Sequence, residues 1–207
     1  AKRNITGVSI EHNLDKKTVV FDLDETLVHC NESLEFPHDI RIPIRFPNGE
    51  STEAGVNIRP YARELLQNLS VDFEIIVFTA SHACYANVVL DYLDPERKYI
   101  EHRLFREHCY EGSEGMYVKD LRILNRSLNS IVLVDNAAYS FCFQLDNAIP
   151  IVPYYSGERD FELCALEKYI QSLAGLRDVR EQNRRTFKLD RYTCFDDPER
   201  LVEALYL

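Results

Sequence analysis

Two carboxylates, Asp22 and Asp24, follow directly on the apolar run Thr18-Val19-Val20-Phe21. A carboxylate at the end of a strand can attack phosphorus in line and become an acyl phosphate. A second carboxylate two residues on can protonate the leaving oxygen, then take a proton from the water that hydrolyses the intermediate. Acids this close repel each other, which favours sharing one proton or recruiting a divalent cation. Two further runs share the design: Phe73–Phe78 leads into Thr79, and Ile131–Val134 into Asp135. Ligands of parallel α/β sheets bind beyond the carboxyl ends of the strands. Asp22, Thr79 and Asp135 are therefore expected to converge on one site.

The elements that would hold them there are legible from pattern. β-Branched runs, apolar on both faces, suit central strands of a parallel sheet covered by helices. Helical stretches alternate with them. Pro60 is expected at the first helical position of Tyr61–Leu69. Ser81 is expected to cap His82–Leu93, which Asp94-Pro95 ends. Phe161, Cys164, Leu166, Tyr169, Ile170 and Leu173 recur at helical spacing. The reading is an α/β fold, a Rossmann-like doubly wound parallel sheet. Ile40–Phe46 and Thr52–Ile58 flank Pro47-Asn48-Gly49 and predict a β-hairpin. The expected organisation is an N-terminal arm over 1–17, one domain over 18–175 with the hairpin insertion at about 29–58, and a C-terminal helical extension over 176–207. That extension is expected to pack on the same domain and to end in a helix, Pro198–Leu205.

Composition narrows the function. The 207 residues carry a net charge of −10, which speaks against direct nucleic-acid binding. The six cysteines are scattered without CxxC or Cys/His ligand spacing, so zinc is not expected and a reducing compartment, nucleus or cytoplasm, is. No stretch approaches the roughly 18 apolar residues of a membrane span, and no signal peptide is apparent. The chain opens on Ala1 rather than Met, which predicts that a preceding piece is missing.

Asp22-Leu23-Asp24-Glu25-Thr26-Leu27-Val28-His29 resembles the signature of the haloacid-dehalogenase superfamily. Within it, the chain is similar to the small FCP/SCP-like phosphatases that act on the RNA polymerase II C-terminal domain. The resemblance continues through Arg59-Pro60, Phe78-Thr79-Ala80-Ser81, Arg103–Arg106, Tyr117–Leu121, Val134-Asp135-Asn136 and Asn147–Pro150, spanning roughly 17 to 175. It implies Asp22 as nucleophile, Asp24 as general acid–base, and Thr79 and Lys119 as phosphate-binding groups. It also implies Mg²⁺ held by the Asp22 carboxylate, the Asp24 backbone carbonyl and Asn136, with Asp135 orienting Lys119 or a metal-bound water.

The family's hairpin lines an apolar pocket for a substrate proline. Ile44 and Phe46 match it, while Glu32 and His82 stand where the family carries phenylalanine and leucine. Simple hairpin packing is the competing reading for Ile44 and Phe46. Arg106 matches a position that can meet a second negative group, with a surface ion pair as its alternative, and Tyr85 has a place near the site. Val28–Ile58 has room only for a hairpin, and helix and connectors account for Ser81–Val118, so no large cap domain is expected. An open site suits a phosphoprotein or phosphopeptide. The function expected is thus a Mg²⁺-dependent serine/threonine phosphatase acting through an aspartyl phosphate. Alternatives are a phosphatase of another phosphoprotein, of the lipid-enzyme-regulator type, or a catalytically silent binding relative. A receiver domain would place its acceptor Asp before the Thr and its Lys last, and the order here argues against it.

Overall fold

The computed structural model describes residues 7–112 and 115–193. The three apolar runs become neighbouring central strands. In chain order, β1 is Lys17–Phe21, β2 Val28–Cys30, β3 Ile40–Arg45, β4 Ser51–Ile58, α1 Ala62–Leu69, β5 Phe73–Phe78 and α2 Ala83–Leu93. Then follow β6 His102–Leu104, β7 Tyr110–Glu111, β8 Tyr117–Val118, β9 Ile131–Asp135, β10 Ala148–Pro150, α3 Glu162–Leu173 and α4 Val179–Phe187. The main sheet runs β10-β9-β1-β5-β6 with every pairing parallel. All its carboxyl ends therefore lie along one edge.

Strand alternation divides the core. Val19, Phe21, Ile75, Val77, Val132 and Val134 face a layer made by α1, α2, α3 and the β3–β4 hairpin. Val20, Ile76, Phe78 and Leu133 face the other side. That second face is covered mainly by the 3₁₀ turns Leu121–Leu124 and Ala138–Phe141 and by Val8 and Ile10 of the N-terminal segment, rather than by a second set of long helices.

Local readings shift in three places. The hairpin gains β2, which pairs with β4 to make a three-stranded sheet, and its turn uses Gly49 at φ 89°. Pro60 is not the first helical residue. Tyr61 takes a left-handed conformation at φ 73°, and α1 begins at Ala62, because the preceding Arg59 is buried and anchored elsewhere. Ser81 does not cap α2; its hydroxyl is taken by Asp24. α4 begins at an Asp178 side-chain cap and falls within the helical extension expected over 176–207. The helix expected at Pro198–Leu205 lies outside the described residues. Among the described residues, no helix is long and apolar enough to cross a membrane.

The N-terminal segment is fastened at the far end of the sheet by Glu74. This fully buried carboxylate accepts from Thr18 Oγ1 (2.6 Å), Arg126 Nη1 (2.7 Å) and His12 Nδ1 (2.9 Å). His12 Nε2 meets the Leu124 carbonyl at 2.6 Å, so both ring nitrogens face oxygens. Glu74, Glu101 and His102 bring ligand-type atoms within 4.8 Å of one another, but the Glu74 oxygens are already occupied. Burial pushes the Glu74 carboxyl up; bonds from Thr18 and His12, with the charges of His12 and Arg126, outweigh that and leave it below its ordinary 4.5. A depressed carboxyl contributes stability that is present above that value and lost as pH falls below it. Glu74→Gln is expected to cost about 3 kcal/mol in urea denaturation at pH 7, because Arg126 stays buried without its partner. The difference from the unsubstituted chain should shrink below pH 4.5. An equal difference at pH 7 and pH 4 would count against this network.

Candidate active site

β1, β5 and β9 lie side by side, and each carries its terminal polar residue to the same edge. Asp22, Asp24, Thr79, Lys119, Asp135 and Asn136 all line one cavity of about 210 Å³ there. Larger hollows occur elsewhere on the surface, but none of them gathers these strand-end groups.

Lys119 is the centre of the charge arrangement. Its Nζ donates to Asp22 Oδ1 and, at 2.6 Å, to Asp135 Oδ2, and the side chain is buried. Burial disfavours its charge, but the two carboxylates outweigh burial and hold it protonated. Asp22 is in the opposite position. Burial pushes its carboxyl well above the ordinary value; Lys119 pulls it down, while the Asp135 and Asp24 charges push it further up. One lysine among three carboxylates leaves the site short of positive charge.

Asp24 is fixed at both oxygens. Ser81 Oγ donates to Oδ2 at 2.7 Å and Tyr85 OH to Oδ1 at 2.6 Å. Burial and the Asp24 charge keep the Tyr85 hydroxyl protonated. Thr79 turns its own hydroxyl oxygen to the Ser81 backbone N–H (2.9 Å) and is itself buried. Thr26 donates to Asp22 Oδ2 (3.2 Å) and lies 3.3 Å from Asn136 Oδ1, so these two oxygens share one neighbour. Arg59 props this turn: it donates to the Thr26 carbonyl and holds Asp160 through two bonds of 2.9 Å. Burial raises the Cys109 thiol to about 11, so it is a packing group rather than a nucleophile.

Other expected contacts are distributed differently. Arg106 lines the cavity, donating to the Ala80 carbonyl at 2.6 Å with its guanidinium 5.0 Å from the Tyr117 ring. Among the described residues it has no carboxylate partner; its Nη1 faces His82 Nε2 at 3.0 Å. His82 is exposed and outside the cavity wall. Ile44 is buried in the core with Phe46 packed against it, and neither reaches the cavity. Tyr85 is buried behind Asp24 rather than presented to a substrate. Thr26 and the clamping role of Ser81 were missed in the sequence. Thr26 could have been found from its place four residues after Asp22, whereas the Ser81–Asp24 contact joins segments 57 residues apart.

A family model described as NLI interacting factor-like phosphatase matches residues 17–180. The chain belongs to that family. It is 44% identical over 180 residues to CTD small phosphatase-like protein 2 of Dictyostelium discoideum, covering 86% of this chain and 31% of that protein. It is 39% identical over 165 residues to the human carboxy-terminal domain RNA polymerase II polypeptide A small phosphatase 1, covering 80% of this chain and 62% of the relative. The chain thus spans from 31% to 62% of the length of these two curated relatives. A solved structure of the fission yeast RNA polymerase II CTD phosphatase Fcp1 shares the fold at TM-score 0.56 and 18% identity, over 86% of this chain and 60% of that one. The match to an NLI interacting factor-like phosphatase domain spans the whole parallel sheet and the cavity at its strand ends.

Proposed function

We propose that this chain is a Mg²⁺-dependent phosphatase of phosphoserine or phosphothreonine on proteins, working through an aspartyl phosphate on Asp22. The observation that carries this is the Asp22–Lys119–Asp135 arrangement beside Asp24, in an open cavity at three strand ends. Asp22 attacks phosphorus and the oxygen of the substrate's serine leaves; Asp24 gives that oxygen a proton, and later removes one from the water that releases phosphate. Lys119, with the Thr79 hydroxyl and nearby amides, meets charge on the equatorial oxygens.

The donor set fits a hard cation. Asp22 and Asn136 present oxygens around one hydroxyl, and burial, with the Asp135 and Asp24 charges, raises Asp22 where a nucleophile must be ionised. Asp22, the Asp24 backbone carbonyl and Asn136 would hold Mg²⁺, which supplies positive charge against Asp22 and the transferring phosphoryl group. The polymerase tail enters as a substrate through the relatives' names alone. The test is release of phosphate from phosphoserine peptides, with and without a neighbouring proline, in Mg²⁺ and after its chelation. Turnover lost on chelation and regained with Mg²⁺ is expected. Peptide binding without turnover would favour a silent relative.

The Ser81–Tyr85 clamp yields a second expectation. If it aims Asp24, Tyr85→Phe should slow a phosphoserine peptide by about 10- to 100-fold, a part of what general acid catalysis supplies. The first-turnover release of p-nitrophenol from p-nitrophenyl phosphate, whose leaving group needs no proton, should fall by less than about threefold. Equal losses in the first turnover of both substrates, before the shared hydrolysis of the aspartyl phosphate, would count against the clamp.

A further inference from the structure

Two hollows beside the catalytic cavity form one groove. The first, about 390 Å³, includes His29, Glu32, Phe36 and Tyr155 in its walls. The second, about 420 Å³, includes Asp39 and Glu158, and Pro37, Asn57 and Ser156 line both. The groove's wall touches that of the catalytic cavity. Glu25 lines that cavity, its carboxylate sits 2.9 Å from His29 Nδ1, and the His29 ring meets Tyr155 edge-on at 5.2 Å. Tyr154 N–H donates to the Glu25 carbonyl at 2.8 Å, tying the far wall to the same turn.

The groove's chemistry has one sign. Among the described residues three carboxylates line it, and no lysine or arginine does. Asp39 is engaged by the Ile58 N–H, but the Glu32 and Glu158 side chains make no hydrogen bond or ion pair among the described residues. Beside them stand two aromatic rings left open to solvent, Phe36 at 56% and Tyr155 at 57% exposure. Unpaired acids next to bare aromatic faces suit a long cationic side chain, whose stem lies along the ring while its head reaches the carboxylate. An anionic ligand is repelled, and a purely aliphatic one would meet a floor of His29, Asn31 and Asn57.

We propose that this groove receives an arginine- or lysine-bearing segment of the phosphoprotein substrate, flanking the phosphoresidue. The proposal rests on the phosphatase reading, since it takes the groove's occupant from its place beside the catalytic cavity. Lys119 and Arg106 draw the phosphate, the acidic groove draws the base, and the opposed charges fix the direction in which the peptide lies. Arginine is favoured over lysine because its plane stacks on a ring.

The experiment compares kcat/KM for phosphoserine peptides carrying arginine at each flanking position with the same peptides carrying glutamine, using the whole chain. Arginine within the groove's reach should be preferred by about tenfold at low salt, mainly through KM, and less at high salt. Charge removal in the double variant Glu32→Gln/Glu158→Gln, or loss of the ring in Tyr155→Ala, should reduce the arginine-to-glutamine ratio at least threefold. A ratio taken on one variant cancels any general loss of activity. Glu35→Gln, an exposed acid on the same loop outside both hollows, should leave the ratio alone. Indifference to flanking charge, a preference for acidic flanks, or a preference that survives the double variant overturns the proposal. If the unsubstituted chain hydrolyses nothing, the phosphatase reading fails by itself. Binding of the same labelled peptides, read by fluorescence anisotropy, then decides the groove by the same ratios.

Discussion

Asp22→Asn is expected to leave the chain folded and to cut turnover of a phosphoserine peptide by at least ~10⁴-fold, the scale seen when a nucleophile is removed. The replacement is isosteric. An asparagine oxygen can still accept from Lys119, and its amide can still face the Thr26 hydroxyl, so the neighbouring turn keeps its partners. Stability should change little. The native carboxylate is already disfavoured by burial and by the Asp135 and Asp24 charges, and a neutral amide is free of that repulsion. What disappears is the group that forms the bond to phosphorus. Two measurements separate this from a general defect. Thermal melting should be close to that of the unsubstituted chain, and an acid-stable, hydroxylamine-labile phosphoryl label on the chain should be lost. Residual turnover above about 1% would sink Asp22 as the nucleophile.

The three strand ends were legible because a buried parallel strand has to be apolar on both faces, and each such run stops abruptly at a polar residue. Thr18–Phe21, Phe73–Phe78 and Ile131–Val134 all became strands of one sheet. Local signals failed where a distant partner won. A serine before a helical stretch reads as a cap, yet the Ser81 hydroxyl bonds to Asp24, and such a contact leaves no trace in a window of neighbours. Pro60 failed as a helix opener for a related reason: buried Arg59 is held by Asp160, 101 residues away, and the chain needs a turn before α1 can start. The cover on the second face was illegible because 3₁₀ turns of four residues carry no period. Ile44 and Phe46 show the reverse limit. Alternation along β3 marks which side chains are buried, but not whether a core or a ligand buries them. Lys119, standing after a two-residue strand, could be found only through the motif around it.

Lys119→Met should damage both activity and stability, and the two losses should separate with pH. Turnover is expected to fall by at least ~10³-fold, since the cation meant for the equatorial oxygens is gone. Stability at pH 8 should fall by about 3–5 kcal/mol, the cost of leaving buried charges without their partner. Here those charges are Asp22 and Asp135, both buried and both bonded to the same ammonium. Without it, burial and mutual repulsion raise Asp22 further above its ordinary 3.8. A carboxyl raised in the folded state binds more protons folded than unfolded, so stability falls as pH rises from that value through the folded one. The penalty should therefore be largest at pH 8 and shrink toward pH 5, where a proton replaces the missing cation. Activity should not return at low pH, because a protonated Asp22 is no nucleophile and no charge faces the phosphoryl oxygens. Urea denaturation at both pH values, read beside peptide turnover, checks this. An equal stability loss at pH 5 and pH 8 would mean that Lys119 acts by packing rather than by charge.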